Sequence, residues 1–291
     1  MTIQKSFENE QEGAIYLVPT PIGNLEDITF RALNTLRTAT LIAAEDTRNT
    51  KKLLRHFEID TPLTSYHEHT KKEKIEQLIK QAEEGAQIAV VSDAGMPGIS
   101  DPGYDLVTEA LKRNVKVISL PGANAALTAL VASGLSTDQF YFYGFLPRKN
   151  KEKKAVLNQL KSLPATLIFY ESPYRVKDTL RALQEVLGDR HITLGRELTK
   201  RFEEYIRGTL SDVISSITNR ELKGEFVLVV EKNTDSGAEE AVNWWRDLGI
   251  KEHVEYYITE KGYTSKEAIK RTALDRGLPK RMVYQHFHIG E

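Results

Sequence analysis

The chain has 291 residues, 40% of them hydrophobic and 28% charged, which is globular composition with room for two domains and a small appendage. A formal net charge of -1 excludes indiscriminate coating of nucleic acid, so any RNA contact must come from local patches. With no cysteine there is no disulfide, thiolate zinc site or cysteine nucleophile, which fits a reducing, cytoplasmic setting.

Residues 1–13 are polar and acidic, unlike a signal peptide, and are expected to be a disordered tail. No apolar run approaches the roughly 20 residues of a membrane span, so no membrane partner is expected. From there, short apolar runs alternate with amphipathic patterns. Strands are expected at 15–18, 40–44, 87–91, 115–120 and 140–144, and helices at 28–36, 49–57, 71–82, 104–113 and 125–133. Strand–helix alternation with β-branched strands indicates a parallel sheet covered on both faces, an α/β domain over 14–145. The polar, basic segment 146–154 contains Pro147 and reads as a linker.

A second α/β domain is expected over 155–231, with strands at 166–170, 192–195, 202–207 and 225–230 and helices at 175–187 and 210–218. A charged linker over 232–238 and a small helical domain over 239–291 complete the chain. In that last part Thr264 to Glu267 has the form of a capping box, Gly277 stops a helix, and Pro279 suits the first turn of the next.

Ligands of open parallel sheets bind beyond the carboxyl ends of the strands. Three turns rich in glycine, proline and small residues lie there: 19–24, 92–98 and 121–125. Such turns bring bare backbone close to a ligand. Each alone is an ordinary βα turn; the coincidence of three favours a pocket. Neither a G-x-G-x-x-G run nor a Walker A sequence is present, which argues against a pyrophosphate ligand.

The segments 18–29, 44–48 (Ala-Glu-Asp-Thr-Arg), 92–103, 121–125, 144–147, 169–175, 196–200 and 224–226 occur in order from about residue 14 to 231. On these segments the chain resembles the tetrapyrrole methylase superfamily, and within it the branch that methylates small-subunit ribosomal RNA. The resemblance implies two α/β domains with S-adenosylmethionine in the cleft between them, usually as a homodimer. It also implies methylation of a cytidine 2′-oxygen of 16S ribosomal RNA near the decoding centre, on naked RNA or the small ribosomal subunit. Carried over by motif, Pro21 and Gly23 line the first turn. Ser92, Asp93 and Ala94 match the superfamily's Gly-Asp-Pro cofactor loop, and Asn124 and Ala125 the next contact. Glu171 and the backbone around Gly224 face the cofactor from the second domain. The Ser-Asp-Ala departure from Gly-Asp-Pro, and charged motifs that a macrocycle methylase does not need, favour the RNA branch.

Methyl transfer to a ribose hydroxyl needs alignment and a group to take the proton. Carboxylates stand beside cations at Glu45 and Asp46 with Arg48, at Glu171 with Arg175, and at Glu197 with Lys200. In each, the carboxylate is a candidate base and the cation a candidate RNA contact. A plain ion pair competes at every one, because a neighbouring cation depresses a carboxylate's pKa. The base is left unassigned among the four.

Two denser basic groups are candidates for phosphate contacts: Arg48, Lys51, Lys52 and Arg55, and then Arg148, Lys149, Lys151, Lys153 and Lys154. The first reads equally as a solvated helix face. Among Tyr66, Tyr170 and Tyr174, base stacking competes with packing. The pair His67 and His69 lacks a third ligand, so no metal is expected. Two other functions compete: a small-molecule methylase of the tetrapyrrole type, and a non-catalytic RNA-binding assembly factor.

Overall fold

The structure, a computed structural model, describes residues 3–6, 8, 12–233, 245 and 247–288. It divides into two compact units, Met1–Asn233 and Thr234–Glu291.

The first unit holds two five-stranded sheets. One contains β1 (Ala14–Leu17), β2 (Leu41–Ala44), β3 (Leu63–Ser65), β4 (Gln87–Val91) and β5 (Lys116–Ser119), in the order β3-β2-β4-β1-β5. All its pairings are parallel. Helices α1 (Phe30–Thr38) and α2 (Thr47–His56) supply Leu36 and Leu54 to the core that includes Ile42. Helices α3 (Lys72–Glu83) and α4 (Tyr104–Lys112) supply Leu78, Ile79 and Leu106 to the core around Ile15, Ile88 and Val90. Sequestering such side chains contributes about 1.5–3 kcal/mol each. Strand β3 escapes the hydrophobic pattern because it is three residues long and two are Thr and Ser.

The second sheet contains β6 (Phe140–Phe145), β7 (Thr166–Glu171), β8 (His191–Arg196), β9 (Glu204–Thr209) and β10 (Phe226–Val230), ordered β6-β7-β10-β8-β9. Only β6 and β7 run parallel; the other pairs are antiparallel. Helices α6 (Asn150–Leu160), α7 (Val176–Leu187) and α8 (Leu210–Ile217) cover one face. Helix α5 (Ala125–Ser133) covers part of the other, where Ala126, Ala129 and Leu130 meet Ile168, Val227 and Val229. It leaves a turn of the first sheet and packs on the second, which fastens the two sheets into one unit.

Two expectations change here. The strand expected at 140–144 to end the first domain is β6, the edge of the second sheet, with Phe140 opposite Thr166. The segment 146–154 is not all linker, because 150–154 begin α6. One cause explains both. Parallel neighbours need a long crossover, and α6 is the crossover from β6 to β7. Its charged first turn hides the spacing of buried Lys153, Leu157 and Leu160, at i, i+4 and i+7.

The described part of the tail 1–13 is attached to the sheet. The Gln4 side chain donates to the Val117 carbonyl and accepts from its N–H, both at 2.9 Å. Lys116 Nζ lies 2.8 Å from the Glu12 carboxylate.

In the second unit, α9 (Ile250–Thr259), α10 (Ser265–Arg276) and α11 (Lys280–His288) enclose Val254, Tyr257, Ala268, Ile269, Ala273 and Val283. Thr264 and Glu267 form the capping box, and Gly277 ends α10 at φ 62°. His253 is fully buried, stacked between Trp245 and Tyr257, and its Nδ1 accepts from Arg276 Nε at 3.0 Å. Burial, then the Arg276 charge, push its pKa down to about 4, so it packs as a neutral ring. Of the expected linker 232–238, residues 234–238 lie outside the described residues. So do 239–244, 246 and 289–291 of the expected helical domain.

Candidate active site

The three small-residue turns are built against one another. Thr20 and Gly95 exchange backbone hydrogen bonds of 2.9 and 3.0 Å, and the Thr20 hydroxyl donates to the Ser92 carbonyl. A methyl group on Gly122 would lie 2.6 Å from the Pro19 ring. Glycine is needed there because the β1 and β5 turns touch through it. Asn124 caps α5, its Oδ1 accepting from Leu127 N–H at 3.0 Å.

These turns form one wall of a cleft of ≈ 470 Å³ inside the first unit, within the usual range for small-ligand sites. That wall includes Ile22, Asp93, Ala94, Gly95, Asn124 and Ala125. The second sheet provides the opposite wall from the ends of β6 and β7 and the start of β10: Phe145, Tyr170, Glu171, Glu225, Phe226 and Val227. Antiparallel pairing puts Phe226 opposite Glu171, which brings these ends together.

The expected cofactor residues divide. Asp93, Ala94, Asn124, Ala125 and Glu171 line the cleft. Pro21, Gly23 and Ser92 line an adjoining hollow of ≈ 400 Å³, with Asp93 common to both, while Ile22 between them turns into the cleft. Gly224 is not on the wall. It sits at φ 90°, where a Cβ would come within 2.4 Å of the Glu197 carboxyl.

The candidate bases also divide. Asp46 caps α2 and pairs with Arg48 at 2.7 Å; that hydrogen bond holds its pKa down to about 2. Glu197 accepts from Lys200 Nζ at 2.9 Å and from Glu225 N–H at 3.0 Å, away from the cleft wall. Glu171 lines the cleft, but its carboxylate is buried. One oxygen accepts from Ser172 N–H at 2.8 Å; the other accepts from the Thr179 hydroxyl at 2.7 Å and lies 3.4 Å from Arg175. Glu45 lines the cleft, accepts from Asp93 N–H at 3.3 Å, and has its pKa raised, first by burial.

A fifth carboxylate escaped the sequence reading. Asp101 lines the cleft and has its pKa pushed up to about 7 by burial, then by the charges of Glu45 and Asp93. It lies inside the 92–103 motif, between Gly98 and Gly103. A lone Asp flanked by turn residues was the visible signal, yet turn-forming is the usual reason for Asp there.

Among the cations, Lys153 is corrected. Its ammonium is buried and donates to Thr179 Oγ1 at 3.0 Å, so it cannot reach RNA. Arg175 donates to the carbonyls of Leu146 and Pro147, and Lys200 bridges Glu197 and Glu225; both are engaged within the fold. Arg48, Lys51 and Arg55 line a groove of ≈ 1150 Å³ beside β3, whereas Lys52 faces the hollow by Pro21. Lys149 and Lys154 pair with Glu152 and Glu185. Arg148 and Lys151 are exposed, without an ion pair among the described residues.

Tyr66 is buried, and Tyr170 lies under Phe142 and Phe145, its hydroxyl accepting from Ala126 N–H. Tyr174 is 93% exposed, the one of the three free to stack. His67 and His69 are exposed in a turn closed by Thr70, not on a strand. Among the described residues no three His, Asp or Glu side chains converge as a metal site.

The family model for the Tetrapyrrole (Corrin/Porphyrin) Methylases matches residues 14–214, which takes in the first sheet and the second as far as α8, short of β10. The chain belongs to that family. Among known members of this methylase family, the ribosomal RNA small subunit methyltransferase I of Bacillus subtilis (strain 168) is 55% identical over 287 residues, 98% of each chain. Two solved structures share the fold at low identity. A diphthine synthase has a TM-score of 0.60 at 14% identity, over 75% of this chain and 90% of its own. The uroporphyrin-III C-methyltransferase of Thermus thermophilus, complexed with S-adenyl homocysteine, has a TM-score of 0.54 at 19% identity, over 75% and 97%.

Proposed function

We propose that this methylase transfers a methyl group from S-adenosylmethionine to the ribose 2′-hydroxyl of a cytidine in 16S ribosomal RNA, near the decoding centre. The near full-length 55% identity to the Bacillus subtilis RNA methyltransferase carries the reading. The cleft fits the cofactor in its own chemistry. Ile22, Ile99, Leu198 and Val227 offer apolar surface for an adenine ring. Asp93, Glu45 and Asp101 offer negative charge for a sulfonium and an ammonium. Ala94, Gly95 and Ala125 leave the backbone bare.

When bound, the cofactor supplies an electrophilic methyl group. The chain's own contribution is alignment, since displacement at that carbon is in-line. Glu171 is held by hydrogen bonds from Thr179 and Ser172, so it shapes the wall. The cleft's negative lining repels RNA phosphate, so the phosphates must be held outside it. Arg148 and Lys151, exposed after β6, and Arg48, Lys51 and Arg55 in the groove beside β3 are the candidates for that task. The finer reading is a cytoplasmic homodimer, with the β6 edge residues Phe140 and Tyr141 exposed for a second copy. No helix among the described residues is long and apolar enough to cross a membrane.

The test is transfer of labelled methyl from S-adenosylmethionine to deproteinised ribosomal RNA, small subunits or a tetrapyrrole. Label is expected in RNA, at a ribose. Label only in the tetrapyrrole would favour the macrocycle reading, and none at all with intact cofactor binding the assembly-factor reading.

A further inference from the structure

Tyr174 takes no part in the packing of the chain. Its side chain is 93% exposed and makes no hydrogen bond or ring contact with any described residue. A single exposed ring is common on a protein surface. Three features distinguish this one. The first is its place: the two residues before it, Ser172 and Pro173, line the cleft, so Tyr174 stands at the rim. The other aromatic residues of that wall are already engaged. Tyr170 accepts from Ala126 N–H, and Phe145 packs edge-on against Tyr170 with ring centres 5.7 Å apart.

The second feature is a fixed backbone. Arg175 N–H and Val176 N–H both donate to the Ser172 carbonyl at 3.1 Å, and the Val176 side chain is fully buried. Pro173 locks its own φ. The Arg175 guanidinium donates to the carbonyls of Leu146 and Pro147 at 2.7 and 3.2 Å. A platform already ordered in the free protein costs little entropy to use. The third feature follows from the same two hydrogen bonds, which draw the end of β6 against the Tyr174 turn. Arg148 comes directly after Pro147, is exposed, and has no ion pair among the described residues. Adjacent stretches of chain thus bring an open aromatic face and an unpaired cation to one rim. Proteins hold single-stranded nucleic acid with that combination.

Resting on the RNA methylation reading above, we propose that Tyr174 holds the target cytidine by stacking on its base, while Arg148 holds an adjoining phosphate. The base and the 2′-hydroxyl are carried on neighbouring carbons of one ribose. A base gripped at the rim therefore keeps its own 2′-oxygen at the mouth of the cleft. Cytosine is uncharged, so the acidic lining that repels phosphate does not repel it. Stacking uses the face of the base and not its hydrogen-bonding edge, so Tyr174 supplies grip and not the choice of cytosine.

The test uses the full-length protein, ribosomal RNA or small subunits, and labelled S-adenosylmethionine. Tyr174→Ala is expected to lower kcat/KM for RNA by about 5–150-fold. Cofactor affinity by calorimetry and the thermal unfolding midpoint should match the parent. The slope of log RNA affinity against log salt should also match, because stacking releases no counterion. Tyr174→Phe and Tyr174→Trp keep a flat ring and should stay within about threefold of the parent, whereas Tyr174→Leu should fall with the Ala variant. A folded Ala variant with the parent's kcat/KM overturns the proposal. So does a Leu variant as active as the Phe variant, which would mean that the rim needs only apolar bulk. A Phe variant as poor as Ala overturns it too, by placing the function in the hydroxyl. A parent that labels no RNA overturns the RNA reading instead, so the two failures are distinct.

Discussion

The acids of the first sheet and those of the second sheet face the same cleft in opposite electrostatic states. At the ends of β2 and β4 and on the 98–103 loop, Glu45, Asp93 and Asp101 stand together without an ion pair among the described residues, and the pKa values of Glu45 and Asp101 rise. In the second sheet's lobe, Glu171 is matched by Arg175 and Thr179, and Glu197 by Lys200. A carboxylate that is fully partnered stabilises the fold and is withdrawn from proton transfer. One left crowded and unpartnered weakens the fold and stays available. On this contrast the acids of the second lobe hold the fold together, while those of the first sheet stay available to a ligand.

The largest expected stability effect is on the partnered side. Glu171→Ala leaves Arg175 and buried Lys153 facing each other without their anion. Breaking a buried pair by removing one partner costs about 3–5 kcal/mol. Urea unfolding should show it as a lower midpoint at unchanged slope. A loss below about 1 kcal/mol would mean that Glu171 is not structural, and the contrast would fail at its firmer end.

Blocking the cleft comes next. Ala125→Leu adds three carbons where the first wall must approach a ligand. Calorimetry should record at least a tenfold loss of S-adenosylmethionine affinity, about 1.4 kcal/mol, with thermal unfolding little changed. Unchanged affinity in the folded variant would move the cofactor to the hollow lined by Pro21 and Gly23.

The contrast also explains what could be read from residue order alone. The turns were legible because glycine and proline declare their own backbone geometry. The paired acids were legible as pairs because Asp46 and Arg48, Glu171 and Arg175, and Glu197 and Lys200 are neighbours in the chain. Asp101 was not, because its state depends on burial, on Glu45, which arrives from β2, and on Asp93, eight residues earlier in the same loop. The place of β6 was hidden for a related reason. Its six residues are apolar and aromatic, as either sheet would accept, and only the α6 crossover decides which. Lys153 looked like its basic neighbours because one turn of helix separates a buried position from exposed ones.

A smaller effect sharpens the comparison from the unpartnered side. Asp101 has a folded pKa of about 7, above the unfolded value of about 3.9. The folded state then binds the proton more tightly, so stability falls as pH rises from about 4 through about 7. Asp101→Asn should remove that loss. At pH 8 the variant should be more stable than the parent, by about 1 kcal/mol once partial solvent screening is allowed for. That is a rise of roughly 2–4 °C in Tm. At pH 4 the two should unfold together. A variant less stable than the parent at pH 8 would show that Asp101 has a partner in the fold and is not the unpaired group that the contrast requires.

The smallest effect concerns cations outside the cleft, and it applies the same distinction to positive charge. Lys149 and Lys154 already lie 3.1 and 2.6 Å from Glu152 and Glu185, while Arg148 and Lys151 have no such partner among the described residues. A cation paired with a carboxylate attracts fewer counterions and gains less from phosphate, because it must first give up its acid. Exchanging Arg148 and Lys151 together for Ser should therefore weaken RNA binding more than exchanging Lys149 and Lys154. For contacts to single-stranded phosphates, each one lost flattens the slope of log affinity against log salt by about 0.7. The first pair should flatten it by up to about 1.4, and the second by clearly less. Cofactor affinity should not move in either variant. RNA affinity measured at several salt concentrations decides between them. Equal slopes in the two variants would mean that the ion pairs open freely on binding. An unchanged slope in both would move the grip to Arg48, Lys51 and Arg55 beside β3, where the same pairwise exchange can be repeated.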